Sequence, residues 1–349
     1  MAAVLTTLAG AVVVAGCVSG GTPSGSVNDP SASSATSQAS TAPPAPVWVP
    51  VGTLGKYGVA SSSRLFTDTS RRRLGPRPLH TVIYRPVIPA VSGTLARDQF
   101  PLIVFAPGYL QCTSPYRVLL RQWASAGYVV AAVQFPRTNC HIAHPDEDDM
   151  VHQPGDLTYV IDQLLAMSRA SHGLFSGLLN PREIAVAGHS DGGDTVAAMV
   201  ANTCCIDHRV AAAVVLAGAK WPQMPGRYFV RPTPPMLFVQ GNADTCNPPA
   251  ASVQLYQADT TGRRYYLNLP GANHFTPYVG RGTPEPVVAR VTTDFLDRYL
   301  VDRHGAGAAM RQDGNAAGVA ELTSGSAPPP NAAGSAGLSG GCNGGPGTR

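Results

Sequence analysis

Between residues 78 and 300, short apolar runs rich in β-branched side chains alternate with stretches of helical periodicity. The runs predict strands over residues 81–85, 102–106, 128–135, 184–187, 212–216, 236–240 and 265–269. The intervening patterns predict helices over 116–126, 156–168, 191–202, 250–258 and 287–300. Several strand runs are continuously apolar rather than alternating, as expected when helices cover both faces of a sheet. Strand–helix repetition at this spacing argues for a mostly parallel sheet with crossover helices. Ligands of such sheets bind at the carboxyl ends of the strands, so a reactive side chain should sit just past one.

The two ends have a different character. Residues 2–16 are small, apolar and uncharged, too short for an ordinary membrane span, and a polar tract follows at once. They read as the core of an export signal. Val14-Ala15-Gly16-Cys17 resembles the lipobox of bacterial lipoproteins, which implies cleavage before Cys17 and acylation of that cysteine; the departure is that no Lys or Arg precedes the apolar run. Residues 17–49, rich in Ser, Thr, Ala, Gly and Pro, cannot bury enough apolar surface to offset the entropy of ordering them. The expected organisation is a signal peptide at 1–16, a tether at 17–49, one α/β domain at 50–303 and a second structureless tail at 304–349. Localisation follows: a lipoprotein on the outer side of the cell membrane, or a secreted protein if Cys17 is not acylated.

A net charge of +4 over 349 residues is modest. Arg71-Arg72-Arg73 and Arg263-Arg264 lack aromatic interleaving or a nucleic-acid motif, so they read as solvated surface and no nucleic-acid partner is expected. Residues 141–152 hold three histidines and four carboxylates, but none at the fixed spacing of a zinc or calcium motif. A hydrated loop is expected there, with no metal.

Gly188-His189-Ser190-Asp191-Gly192 follows an apolar run and opens a small-residue helical segment. Strand, sharp turn and helix place Ser190 at the apex, and the flanking glycines remove Cβ atoms that would clash in so tight a turn. Asp244 closes a strand and a Gly turn, and His274 lies just past the last predicted strand. Alone, Asp244 reads equally as a turn cap and His274 as a surface residue. Together, Ser, Asp and His fall at three strand ends in the chain order known for this kind of elbow.

On these residues, the segment from about 78 to 300 resembles an α/β-hydrolase of the serine esterase kind. The resemblance is to the lid-poor group of cutinase-like polyester hydrolases, dienelactone hydrolases and platelet-activating-factor acetylhydrolases. It implies a mostly parallel sheet with helices on both faces, little or no lid, and Ser190 nucleophile, Asp244 acid and His274 base. Phe105-Ala106-Pro107-Gly108-Tyr109 matches the oxyanion turn, implying that the backbone N–H groups of Tyr109 and Asp191 receive the oxyanion. Pro107 stands where many esterases carry His, which moves the likeness toward the cutinase-like branch. Gln153-Pro154-Gly155-Asp156-Leu157 resembles a helix opening of the same group. The implied protein needs no cofactor, acts on an ester and has a monomeric catalytic domain.

Other residues support more than one reading. The Asp191 side chain reads as structural, a carboxylate favoured in the first helical turn by roughly 0.3–1 kcal/mol. His189 points away from Ser190 in a tight elbow, which disfavours it as the base. Tyr109 and Trp221 are candidate substrate-binding aromatics, though Trp221 reads equally as a core plug under its loop. Phe275 reads as packing. A peptidase or amidase on the same scaffold, or a non-catalytic binding lipoprotein, are the rival classes; the absence of a repeat domain or long cap argues against the first, the complete triad against the second. Finally, Cys112 and Cys140 leave neighbouring strands in the implied fold and can meet as a disulfide. Cys204 and Cys205 should lie far from Cys246, leaving a vicinal pair or free thiols, and Cys342 cannot be placed.

Overall fold

The computed structural model describes residues 55–87, 99–280 and 282–330. Among the described residues, nine strands form one sheet in the order β1-β2-β4-β3-β5-β6-β7-β8-β9. The strands are β1 (Gly58–Asp68), β2 (Arg77–Val87), β3 (Phe100–Ala106), β4 (Val129–Gln134), β5 (Leu179–His189), β6 (Val210–Leu216), β7 (Met236–Gly241), β8 (Arg264–Leu269) and β9 (Glu321–Ser324). From β4 through β3 to β8 every neighbouring pair is parallel. β1–β2, β2–β4 and β8–β9 are antiparallel. The carboxyl ends of β3, β5, β6, β7 and β8 therefore share one edge. This is the mixed α/β architecture of an α/β-hydrolase.

The continuous apolar runs have the cause that their pattern predicts. In β3, Leu102, Val104 and Ala106 face one core, while Ile103 and Phe105 face the other. Helices α2 (Gln153–Arg169), α3 (Asp191–Ala201) and α4 (Pro249–Ala258) cover the first face, through residues such as Ile161, Met199 and Tyr256. Helices α1 (Arg117–Ala126), α5 (Pro284–Tyr299) and α6 (Ala306–Asp313) cover the second, through Trp123, Phe295 and Met310. Full burial of each such side chain is worth roughly 1.5–3 kcal/mol. Helix α1 stops at Gly127, whose left-handed φ of 114° suits glycine. Its Trp123 indole donates to Thr292 Oγ1 at 2.9 Å, tying α1 to α5.

Three expectations need correction. The tail expected from residue 304 instead continues the domain: α6 and β9 lie within it, and β9 pairs with β8. Small residues there are not merely unstructured; Ala306, Met310 and Ala320 are buried, and Gly307 lies where a Cβ would meet the Arg298 guanidinium. Second, residues 141–152 are not simply a hydrated loop. Residues Glu147–His152 form a 3-10 segment in which Asp149 and Met150 are buried, and the Asp149 carboxylate takes two hydrogen bonds from buried Arg77, each 2.7 Å. Third, Arg71 is not free surface: it pairs with Asp68 at 2.7 Å and also with Asp156. The signal, the tether and Cys17 lie outside the described residues, as do residues 331–349. Among the described residues no helix is long and apolar enough to cross a membrane.

Candidate active site

Strand β5 ends at His189 and α3 begins at Asp191, so one residue must reverse the chain. Ser190 does so with φ 56° and ψ −126°. A non-glycine residue in this region stores on the order of 1–3 kcal/mol, retained only where surroundings over-determine it. Those surroundings are close-packed backbone. A Cβ at Gly188 would lie 2.1 Å from Gly192 O, and one at Gly192 would lie 2.0 Å from Ala106 O. The Ser190 N–H donates to Leu216 O at 2.9 Å, and its carbonyl accepts the Asp194 N–H at 3.0 Å.

The other two expected residues arrive from separate strands. His274 follows β8, and its Nε2 lies 2.9 Å from Ser190 Oγ. Its Nδ1 lies 2.7 Å from Asp244 Oδ2. An ionised carboxylate only accepts, so Nδ1 carries the proton and Nε2 presents a lone pair to the hydroxyl. His274 and Asp244 are 3% and 5% exposed, so water competes little for either contact. Asp244 is held rather than merely placed. Its Oδ1 accepts the N–H groups of Cys246 at 2.8 Å and Asn247 at 3.0 Å, and Oδ2 also accepts Gln240 Nε2 at 2.9 Å. Gln240 is fully buried and its Oε1 takes a hydrogen bond from Ser252 at 2.6 Å. No motif or spacing marks Gln240 in the sequence; its one signal there is a lone amide closing an otherwise apolar buried strand.

The turn after β3 lies beside the serine: a Cβ on Gly108 would stand 3.0 Å from Ser190 Cβ. Leu110 is left-handed, with φ 56°, and its N–H donates to Thr138 O at 2.7 Å. The Gly108 carbonyl accepts the Gln111 N–H at 3.1 Å. Asp191 is the first residue of α3, so no carbonyl of that helix accepts its N–H. Tyr109 is half-buried on this turn, and Trp221 is half-buried in the loop after β6, at the same sheet edge. The disulfide Cys112–Cys140 joins the loops leaving β3 and β4, with Cα atoms 5.1 Å apart. Cys204 and Cys205 are bonded to each other, one of the two states their position allowed.

One electrostatic expectation fails. At Asp191, burial opposes the charge that the helix N-terminus would favour. Its carboxyl is 9% exposed, and Oδ2 has no hydrogen-bond partner among the described residues. Burial first, then the negative charge of Glu147, pushes its pKa up to about 8. Loss of hydration outweighs a dipole term of roughly 0.3–1 kcal/mol. Nearby Asp194 is pushed upward too, by burial and then by Asp191, although it accepts the Ala219 N–H at 2.5 Å.

The sheet, the elbow and the order of the three contacting side chains are those of an α/β-hydrolase. Within that class, the chain belongs to the PET hydrolase-like family, whose model matches residues 89–307. No curated protein matches it.

Proposed function

We propose that this chain hydrolyses carboxylic esters through an acyl-enzyme, with Ser190 as nucleophile, His274 as general base and Asp244 orienting the imidazole. The observation carrying this reading is the continuous contact from Ser190 Oγ to His274 Nε2 and from His274 Nδ1 to Asp244 Oδ2, at 2.9 and 2.7 Å. A serine hydroxyl is a poor nucleophile at neutral pH without a base in contact. His274 Nε2 takes the hydroxyl proton as Oγ bonds to the acyl carbon, and Asp244 stabilises the resulting imidazolium. The carbonyl π electrons move to oxygen, where the N–H groups of Asp191 and Tyr109 receive the charge. Losing one such donor typically costs about 3 kcal/mol. The tetrahedral carbon then expels the alcohol oxygen, which takes the proton from His274. Water, deprotonated by the same nitrogen, attacks the acyl-Ser190 ester, and collapse releases the acid and restores the serine.

The family match and the absence of a helix between β6 and β7 among the described residues favour bulky or polymeric esters, with Tyr109 and Trp221 walling an open cleft. In the same reading, residues 1–16 export the domain and acylated Cys17 anchors it outside the membrane. Cys17→Ser would then release the protein from the membrane fraction, and an unacylated mature terminus at another residue would remove the anchor. For the chemistry, Ser190→Ala should fold normally and lose ester turnover by several orders of magnitude. Folded S190A protein retaining more than about a few per cent of wild-type activity would take Ser190 out of the mechanism. Degradation of an aromatic polyester film by the wild type supports the polymeric substrate; turnover confined to acetyl and butyryl esters points to a small-ester enzyme.

A further inference from the structure

His189 and Tyr116 are fully buried beside the three contacting residues, yet the ester mechanism above does not use them. His189 Nε2 lies 2.7 Å from the carbonyl oxygen of His274. A carbonyl only accepts, so Nε2 carries a hydrogen. Burial first, then the neighbouring His274, holds the His189 pKa well below its ordinary value, so the ring is neutral and Nδ1 is bare. Nδ1 lies 2.8 Å from Tyr116 Oη. The only hydrogen available to that contact is the phenol's, and burial keeps the phenol protonated by pushing its pKa upward. Tyr116 Oη then has a lone pair left, and the Gly108 N–H points to it at 3.3 Å.

Every donor in this chain has one acceptor. It runs from Gly108 N–H to Tyr116 O–H to His189 Nδ1, and from His189 Nε2–H to His274 O. It joins the loop after β3, the end of β5 and the loop after β8, which lead into the oxyanion turn, the nucleophile and the base. The Gly108 carbonyl is separately held by the Gln111 N–H at 3.1 Å, and it shares a peptide plane with the Tyr109 N–H. The rings leave little freedom: the His189 centroid is 4.6 Å from that of His274 and 4.8 Å from that of Tyr278. Tyr278 in turn donates to Val239 O at 3.1 Å, on the strand leading to Asp244.

We infer that Tyr116 and His189 are positioning residues, which set the His274 backbone and the Gly108–Tyr109 turn against Ser190 without touching substrate. This rests on the ester-hydrolase reading. Displacing a reacting group by about 1 Å can cost about 100-fold in rate, and the chain holds the His274 backbone and the turn that carries the Tyr109 N–H.

Tyr116→Phe removes one oxygen and leaves the ring packing. It should lower kcat about 10- to 100-fold while KM stays within about twofold. Fluorophosphonate labelling of Ser190 should slow in parallel. His189→Phe should lose more, and His189→Gln, whose amide can donate to the His274 carbonyl, should recover part of the loss. Folded Y116F protein with wild-type kcat, or H189Q no better than H189F, would overturn the inference. Imidazole ¹⁵N NMR of the wild type checks it without any mutant: His189 should remain the neutral Nε2–H tautomer through the range in which an ordinary imidazole changes charge, and a ring that titrates there contradicts it. A wild type that is not labelled at all would sink the hydrolase reading itself, whereas normal labelling with unaltered Y116F kinetics would sink only this one.

Discussion

Replacing Asp191 by Asn removes a carboxyl that the fold keeps protonated, while preserving the backbone N–H assigned to the oxyanion. An ordinary Asp ionises near 3.8, and burial with the charge of Glu147 pushes Asp191 up to about 8. Each pH unit of displacement is worth about 1.4 kcal/mol, so ionising Asp191 in the folded chain costs on the order of 5 kcal/mol relative to the unfolded one. The sign follows from proton binding. Below about pH 4 the group is protonated in both states and this stabilising contribution is fully present. Between about pH 4 and 8 the unfolded chain releases a proton that the folded chain retains, so stability falls as pH rises, and above about 8 the loss is complete. Asn does not titrate. Asp194 remains in both proteins, so the difference between them reports Asp191 together with its coupling to Glu147 and Asp194. Melting temperatures of wild type and D191N should nearly coincide at pH 4. They should diverge in favour of D191N through pH 6 and 8, reaching about 10–20 °C on a conversion of about 2–4 °C per kcal/mol. A gap independent of pH, or one that favours the wild type as pH rises, would refute the buried neutral carboxyl.

Gln240→Met removes the amide that reaches Asp244 Oδ2 at 2.9 Å while keeping side-chain length. It should lower kcat about tenfold with KM unchanged, because the loss falls on orientation of the base; a rise in KM alone would contradict that role. Replacing both Cys112 and Cys140 by Ser opens a loop with a sequence separation of 28. Denaturant unfolding should register a loss of about 3 kcal/mol, and unchanged stability would show that the bridge braces nothing.

What was legible in the sequence follows from which residues have a single physical reading. Residues 102–106 are apolar on both faces and could only be a covered central strand. Gly188 and Gly192 have no Cβ to offer the elbow, so strand, serine and helix were readable together, and with them the edge where Asp244 and His274 had to lie. The placement of β3 beside β4 also brought Cys112 to Cys140. Edges were harder. Strand β1 alternates little and exposes much of its length, as Ser61, Ser63, Arg64 and Leu65 do, so no buried periodicity marks it. Helix α6 is half Ala and Gly, and β9 is four residues with Leu322 as its one large apolar side chain, so neither stands out from the Gly/Ala/Ser/Pro-rich sequence around it; contact with α5 and β8, not local pattern, orders them. Buried polar groups were least visible. Arg77, Asp149 and Asp156 look like solvated charges until their ion pairs are seen. Tyr116, His189 and Gln240 acquire meaning only through partners 73, 85 and 4 residues away.

The most direct measurement is to trap the covalent intermediate. Wild-type protein mixed with an activated ester, quenched in acid within the first turnover and mapped by mass spectrometry, should carry the acyl group on the peptide containing Ser190. His274→Ala should carry far less at the same time point. Sustained ester turnover with no adduct, or with the adduct on a residue other than Ser190, would contradict the proposed mechanism.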